Sequence, residues 1–284
     1  MNAVAKAALF QRLHLGPEIL VIANAWDAAS ARVFEEAGVR AVGTGSAGVA
    51  FGHGFVDDEF IPREVMLRAI GEMVAAVQVP VTADILSGLG DGGAVTPEAV
   101  AATVREVIAL GAVGVNIEDG SDVGGPHLID LELQVDKITA AVEAARLAGV
   151  DIVVNARTDS YWLKLGDDNE RLRVSVARAN RYRAAGAHCL FVPSAAQPAL
   201  IGTLVREIDG PLNILAVPGC PPVAELQALG VRRLSVGSGP ARAAMMLTRR
   251  IAHDLLHSGT YRRFHEEAIP YAEANALFLR DAGR

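Results

Sequence analysis

Cysteine is nearly absent. Cys189 and Cys220 are the only two, and they form neither a CxxC pair nor part of a metal-ligand cluster. That sets aside a disulfide framework and points to a reducing compartment, the cytoplasm. No run of 18 apolar residues occurs, so no transmembrane helix and no membrane partner are expected. The opening residues, MNAVAKAALFQRLH, carry Lys6 and Gln11 within an apolar stretch and read as an amphipathic first helix rather than a signal peptide. Positive charge is not in excess: 26 Lys+Arg face 33 Asp+Glu, a net charge of −7. A general nucleic-acid binder would normally show a basic face, so that class is set aside too. Strand–turn–helix versions of GxGxxG and GxxxxGK[ST], a GxSxG elbow and a Ser-His-Asp order are all missing.

What is present is a repeated alternation. Eight short β-branched runs occur at Ile19–Ala23, Ala41–Thr44, Val79–Asp84, Val113–Ile117, Asp151–Asn155, Cys189–Val192, Leu212–Ala216 and Arg233–Val236. Each is nearly continuous in hydrophobicity, the pattern of a strand buried on both faces and hence of a parallel sheet. Helical stretches lie between them, at Asp27–Ala37, 63–77, 96–110, 131–148, 169–185, 197–207, 222–229 and 239–257. Asp27 and Thr96-Pro97-Glu98 are helix starts. Gly38, Gly111, Gly149, Gly186 and Gly230 fall where helices should stop. At ~150 residues per domain the length would suit two domains, but α/β barrels reach it as one. The reading is an α/β protein, a (β/α)8 TIM-type barrel spanning residues 1–284; a doubly wound open sheet is the less economical alternative. The tail from 260 to 284 adds one helix too many, which would serve an oligomer contact or cover the barrel bottom.

In such a barrel the reactive face lies at the C-terminal ends of the strands. Polar residues gather there: Asn24, Trp26 and Asp27 after the first run, Gly45–Gly48 after the second, Asp84 at the end of the third. Asn116, Glu118 and Asp119 follow in the fourth, Asn155, Arg157, Thr158 and Asp159 in the fifth, Asn213 in the seventh, Gly237–Gly239 after the eighth. Asp84 and Glu118 on neighbouring strands would repel unless they share a proton or a cation, and an all-oxygen set suits Mg²⁺ or Mn²⁺. The same residues would equally serve as a helix cap and an ion-pair partner of Arg157. Arg157 itself offers a fork to a carboxylate or phosphate, or a salt bridge to Asp159 or Glu118. The Gly45–Gly48 and Gly237–Gly239 turns could present backbone N–H groups to an anion or simply make tight turns. Among the histidines, His14, His253, His257 and His265 read as surface residues, and His188 lies at the wrong end for catalysis. His53 and His127, in long loops, remain candidate acids or bases, and Cys220 could face the mouth. The loops Gly45–Pro62 (with Asp57 and Asp58) and Gly120–Asp130 have the length of lids.

Taken together, these motifs resemble the isocitrate lyase/phosphoenolpyruvate mutase superfamily. They run in order from Asn24-Ala25-Trp26-Asp27 through Pro80–Asp84, Gly114–Asp119 and Asn155–Asp159 to Ser235–Gly239. The resemblance implies a (β/α)8 barrel, assembled as a homotetramer or homodimer with a swapped C-terminal helix. It also implies a Mg²⁺-dependent site for a small 2-oxo acid or its enolate. Position by position, Asp84 and Glu118 match metal-holding acids and Asp57 an acid near the metal. Ser46, Ala47 and Gly48 match the turn that binds the substrate, Trp26 an aromatic packed over it, Arg157 the arginine that engages the oxo acid, and Asn213 a substrate contact.

Four departures narrow the reaction. Leu86 stands where the family usually has a second acid, and Leu89 where an aromatic is common. Gly120–Asp130 lacks the Lys and Cys of the isocitrate-cleaving lyases. The family's acidic or His residue after the sixth strand falls near Pro193. The expectation is therefore a lyase acting on a 2-oxo or 2-hydroxy di- or tricarboxylate, with decarboxylation of an oxaloacetate-like substrate as the best single reaction. The alternatives are 2-methylisocitrate-lyase-like C–C cleavage, a phosphonate P–C bond enzyme, and a non-catalytic 2-oxo acid binder.

Overall fold

The computed structural model describes residues 1–57, 61–90 and 95–279. Asp58 of the first long loop, and residues 280–284 of the C-terminal extension, lie outside the described residues.

All eight apolar runs become strands of one closed parallel barrel. They are β1 (Leu20–Ala25), β2 (Val42–Thr44), β3 (Val81–Asp84), β4 (Gly114–Glu118), β7 (Val153–Arg157), β8 (Cys189–Phe191), β9 (Leu212–Leu215) and β10 (Arg233–Ser235). The ring runs in that order and closes where Leu20 on β1 pairs with Arg233 on β10. An open sheet is thereby ruled out. Two further strands, β5 (Gly120–Ser121) and β6 (His127–Leu128), form a separate antiparallel pair just after β4. The loop expected at Gly120–Asp130 is therefore a small hairpin.

The helices largely keep their expected places: α1 (Ala3–Leu15), α2 (Ala28–Glu36), α3 (Ser46–Gly52), α4 (Arg63–Ala76), α5 (Pro97–Ala109), α6 (Leu131–Leu147) and α7 (Asp168–Ala184). They continue with α8 (Pro198–Glu207), α9 (Val223–Leu229) and α10 (Gly239–His253). Asp27 caps α2 through a bond from the Ser30 N–H at 2.7 Å, and Thr96 caps α5 ahead of Pro97. The five predicted stop glycines all take positive φ, from 69° at Gly149 to 101° at Gly186. After α10 the chain makes one π turn (Asp254–Ser258), and the tail forms two short helices, α11 (Arg262–Glu266) and α12 (Tyr271–Ala276), separated by Pro270. Tyr261, Phe264, Tyr271 and Phe278 of this tail are exposed. No helix among the described residues is long and apolar enough to cross a membrane.

Because side chains alternate along a strand, strand register decides which of them face the barrel axis. Strand-to-strand pairing links Asp84, Asn116, Asn155 and Cys189 in one series, and Glu118, Arg157, Phe191, Asn213 and Arg233 in another. The N-terminal end of the barrel is plugged by α1. Phe10 and His14 stack edge-on there, with ring centroids 4.7 Å apart, and both are buried. Gly114 makes room for the plug: a Cβ at that position would lie 2.7 Å from the Phe10 ring and 2.8 Å from Thr82 Oγ1. The expectation that His14 sits on the surface is therefore corrected. It continues the Ala7–Phe10 stripe of α1 and is only 2% exposed.

Candidate active site

A cavity of about 520 Å³ opens at the C-terminal ends of the barrel strands. Ser46, Ala47, Asp57, Asp84, Glu118 and Arg157 all line it, although they come from four different βα units.

Asp84 ends β3 and is held in place by backbone and side-chain donors. Its Oδ1 accepts from Asn116 Nδ2 at 3.1 Å and from the Leu86 N–H at 3.5 Å. Its Oδ2 accepts from the Ser46 N–H at 3.3 Å. Ser46 opens α3, so the expected anion-binding turn at Gly45–Gly48 is a helix N-terminus aimed at a carboxylate. Asn116 is oriented in turn by Asn155 Nδ2, which donates to its Oδ1 at 2.8 Å.

Arg157 ends β7 and makes both of the ion pairs that were open from sequence. Its Nη1 lies 2.6 Å from Glu118 Oε2, and its Nε donates to Asp159 Oδ1 at 2.7 Å; neither contact uses Nη2. The guanidinium also faces the rings of Trp162 and Phe191, at 5.5 and 5.8 Å from their centroids. Burial opposes its charge, but Asp159, Glu118 and Asp84 outweigh burial and raise its pKa, so it stays a cation. Burial raises the Asp159 pKa; Arg157 pulls it down and Asp119 pushes it up.

Behind Asp159 lies a network that sequence reasoning missed. Asp119 is fully buried, and its Oδ1 accepts from the Asp159 N–H at 2.9 Å. Its Oδ2 accepts from Tyr182 Oη at 2.5 Å and from Arg178 Nη1 at 3.2 Å. Tyr182 and Arg178 both come from α7. Their spacing of four is a helical-face signal, but nothing local in the sequence ties that face to Asp119. Gly120 is needed beside it, since a Cβ there would lie 2.6 Å from Asp159 Oδ2.

Trp26, Gly48, Asn213, His53, His127 and Cys220 stand away from the cavity wall. Trp26 packs edge-on against Phe34 and backs Gly48, where a Cβ would lie 2.7 Å from Trp26 Cβ. Asn213 is fully buried and paired with Ser235, at 3.1 and 3.2 Å. His53 and His127 turn to nearby backbone carbonyls, Val49 O and Gly125 O, and Cys220 packs against the core. The N–H groups of Val236 and Gly237, at the turn expected to cradle an anion, already donate to Asn24 Oδ1 at 3.0 and 2.9 Å. Arg242, from the first turn of α10, and the buried Arg233 line the cavity without having been singled out.

The departures also have a structural form. Leu86 is buried against the cavity with φ +52°, and its carbonyl accepts from the Glu118 N–H at 3.0 Å. Leu89 is buried with φ +53°. Hence the backbone after β3 ties the third unit to the fourth, while the side chain at 86 contributes no oxygen. Around the mouth, Asp57, Asp84 and Glu118 supply only oxygen donors. Among the described residues no three His, Cys, Asp or Glu side chains converge as a direct cage. That donor set fits a small hard cation that keeps much of its own water, Mg²⁺ or Mn²⁺.

Eight parallel strands closed around a charged cavity at their C-terminal ends define a barrel of the kind that carries enzyme sites. The chain belongs to the phosphoenolpyruvate phosphomutase family, whose model matches residues 10–256. A solved protein from Burkholderia cenocepacia J2315, provisionally described as a lyase/mutase, is 36% identical. That match covers 98% of this chain and 97% of the other, with a TM-score of 0.89. Rv1998c of Mycobacterium tuberculosis is 35% identical over 270 residues, covering 95% of this chain and 96% of its own. An oxaloacetate decarboxylase from Bradyrhizobium sp. is 25% identical over 291 residues, covering 99% of this chain and 95% of its own. The superfamily read from the motifs is thus the one the comparisons find.

Proposed function

We propose that this protein is a lyase that decarboxylates a small oxaloacetate-like 2-oxo acid through an enolate. The observation that carries the reading is the setting of Arg157. A permanently charged fork is held by Glu118 and Asp159 at the cavity wall, within electrostatic reach of Asp84. Such a group receives a substrate carboxylate without having to reorganise. The first turn of α3 brings Ala47 to the same wall, while the Ser46 N–H there serves Asp84. Asp84 and Glu118, with Asp57 beside them, would hold a Mg²⁺ or Mn²⁺ ion, chiefly through its waters. Bound there, the ion would supply positive charge where charge builds on the oxo oxygen.

Decarboxylation asks little else of the protein. The bond to the departing carboxylate breaks, its electron pair stays on carbon as the enolate, and CO₂ leaves neutral. Protonation of the enolate carbon then completes the reaction. No acid is required on the loop after β4, and that hairpin carries neither Lys nor Cys. The oxaloacetate decarboxylase relative, similar along nearly the whole chain, supports the same choice. The test is assay of CO₂ and pyruvate release from oxaloacetate with and without Mg²⁺. Failure to turn over a panel of 2-oxo acids, with oxalate binding retained, would leave an oxo-acid binder instead.

A second reading is favoured by the family match itself, which is to a mutase. Cleavage or rearrangement of a P–C bond would be seen as turnover of phosphonopyruvate in ³¹P NMR. The exposed aromatic side chains of the C-terminal tail support residues 260–284 as a contact between copies in a homodimer or homotetramer. Sedimentation velocity checks this.

A further inference from the structure

The floor of the cavity holds a charge that the rest of the site does not answer. Arg233 begins β10, points inward, and lines the cavity although only 2% of it is exposed. Its sole polar side-chain contact among the described residues is with His14, whose Nε2 lies 3.5 Å from its Nη1; its Nε has no hydrogen-bond partner. His14 supplies no negative charge. Its Nδ1 donates to Phe10 O at 2.8 Å, and burial, reinforced by Arg233, drives its pKa down to about 3. Cys189, a neighbour of Arg233, is kept a neutral thiol by burial, which pushes it up to about 11. Asp84 is close enough to favour the cation, but its oxygens are already turned to Ser46, Leu86 and Asn116.

A second donor lies on the same floor. Thr82 Oγ1 is buried and has no partner, and Thr82 lines the cavity. Thr82 and Arg233 both border the α1 plug, Thr82 beside Phe10 and Arg233 beside His14. A buried guanidinium with no carboxylate in ion-pair contact is costly, and an unpaired buried hydroxyl adds to the cost. A planar carboxylate would answer both, since a guanidinium matches its geometry and a hydroxyl can donate to it.

We propose that Arg233, with Thr82, forms an anion subsite at the cavity floor that takes a carboxylate. The carboxylate is either the distal one of a diacid substrate or a free small carboxylate. The diacid arm rests on the oxo-acid reading given above; the subsite itself does not, because it needs neither Arg157 nor a metal.

The test uses formate and the full-length protein, free of divalent cations and chloride. Formate should raise the melting temperature saturably, and the response should survive in Arg157→Met. Arg233→Met should abolish it. Thr82→Val, which keeps the shape and removes the donor, should weaken it at least threefold, and it serves on its own where Arg233→Met does not fold. Succinate then separates the two sources. Competition with formate, with tighter binding than formate that is lost in Arg233→Met, assigns the floor to a distal carboxylate. Binding of both together assigns it to a free one. No formate response in the wild type would overturn the subsite. So would a response lost in Arg157→Met but intact in the Arg233 and Thr82 variants, which would put the anion at the mouth. The oxo-acid reading fails separately, through absence of Mg²⁺-dependent oxalate binding.

Discussion

Asp159 Oδ1 accepts from Arg157 Nε at 2.7 Å, two residues along the same strand end, and so sets the direction in which the guanidinium can be used. The relation is not symmetric. Arg157 has Glu118 as a second partner, whereas Asp159 is locked from behind by its own N–H bond to Asp119.

Removal of the arginine should act on binding. Arg157→Ala is expected to weaken oxalate affinity by about 1.5–3 kcal/mol, the worth of a charged hydrogen bond. Asp159→Asn should leave the charge in place but loosen its aim, giving a smaller loss. Calorimetric titration in Mg²⁺ measures both, and wild-type affinity in Arg157→Ala would remove it from the site.

Restoring an acid after β3 should strengthen metal binding. In Leu86→Asp a carboxylate replaces a buried leucine at the cavity wall, and Asp tolerates the left-handed φ of +52° better than leucine does. The expected result is a lower Kd for Mn²⁺, on the order of tenfold, followed by water-proton relaxation. An unchanged Kd would show that the side chain at 86 does not reach the cation.

The network behind Asp159 should carry stability. Tyr182→Phe leaves the buried Asp119 without the donor it now has at 2.5 Å. The cost should be about 1–3 kcal/mol in urea unfolding, with KM affected less than stability. A neutral result would mean that Arg178 alone satisfies Asp119.

Acid should destabilise the fold through His14. Burial first, then Arg233, depresses its pKa from 6.5 to about 3, so the folded state holds it neutral. The unfolded chain takes up the proton more readily, so this stability is present above pH 6.5 and is lost as pH falls toward 3. The slope is at most about 1.4 kcal/mol per unit from this one group. Melting curves of wild type and His14→Met across pH 4–7 check this; the variant should lose part of the acid slope. Equal slopes would clear His14.

The barrel could be read from sequence because its signals are local and repeated. A run of β-branched residues reports a two-sided burial, and a glycine after a helix reports a left-handed stop. The mouth could be read because polar residues interrupt those runs at one end. What stayed hidden has physical reasons. Strands of two residues, such as β5 and β6, are too short to show a period, and α3, with Gly48 and Gly52 in seven residues, lacks a helical composition. Continuous hydrophobicity also conceals which residues face the axis, so Arg233 looked like the start of a strand rather than a charge inside a barrel. His14 was misplaced because one imidazole on a mixed stripe does not reveal what stands across from it. The link from Asp119 to Tyr182 spans 63 positions and exists only in three dimensions.

The plug at the barrel bottom bears on the order in which the molecule can be made. Helix α1 leaves the ribosome before any strand of the barrel, yet His14 meets a residue on the strand that closes the ring, 219 positions later. Until that strand arrives the ring is open, and Phe10 and His14 lack their full setting. Helix α1 and strand β10 thus complete the barrel together, and nascent chains stopped before residue 233 should hold α1 undocked and open to proteolysis.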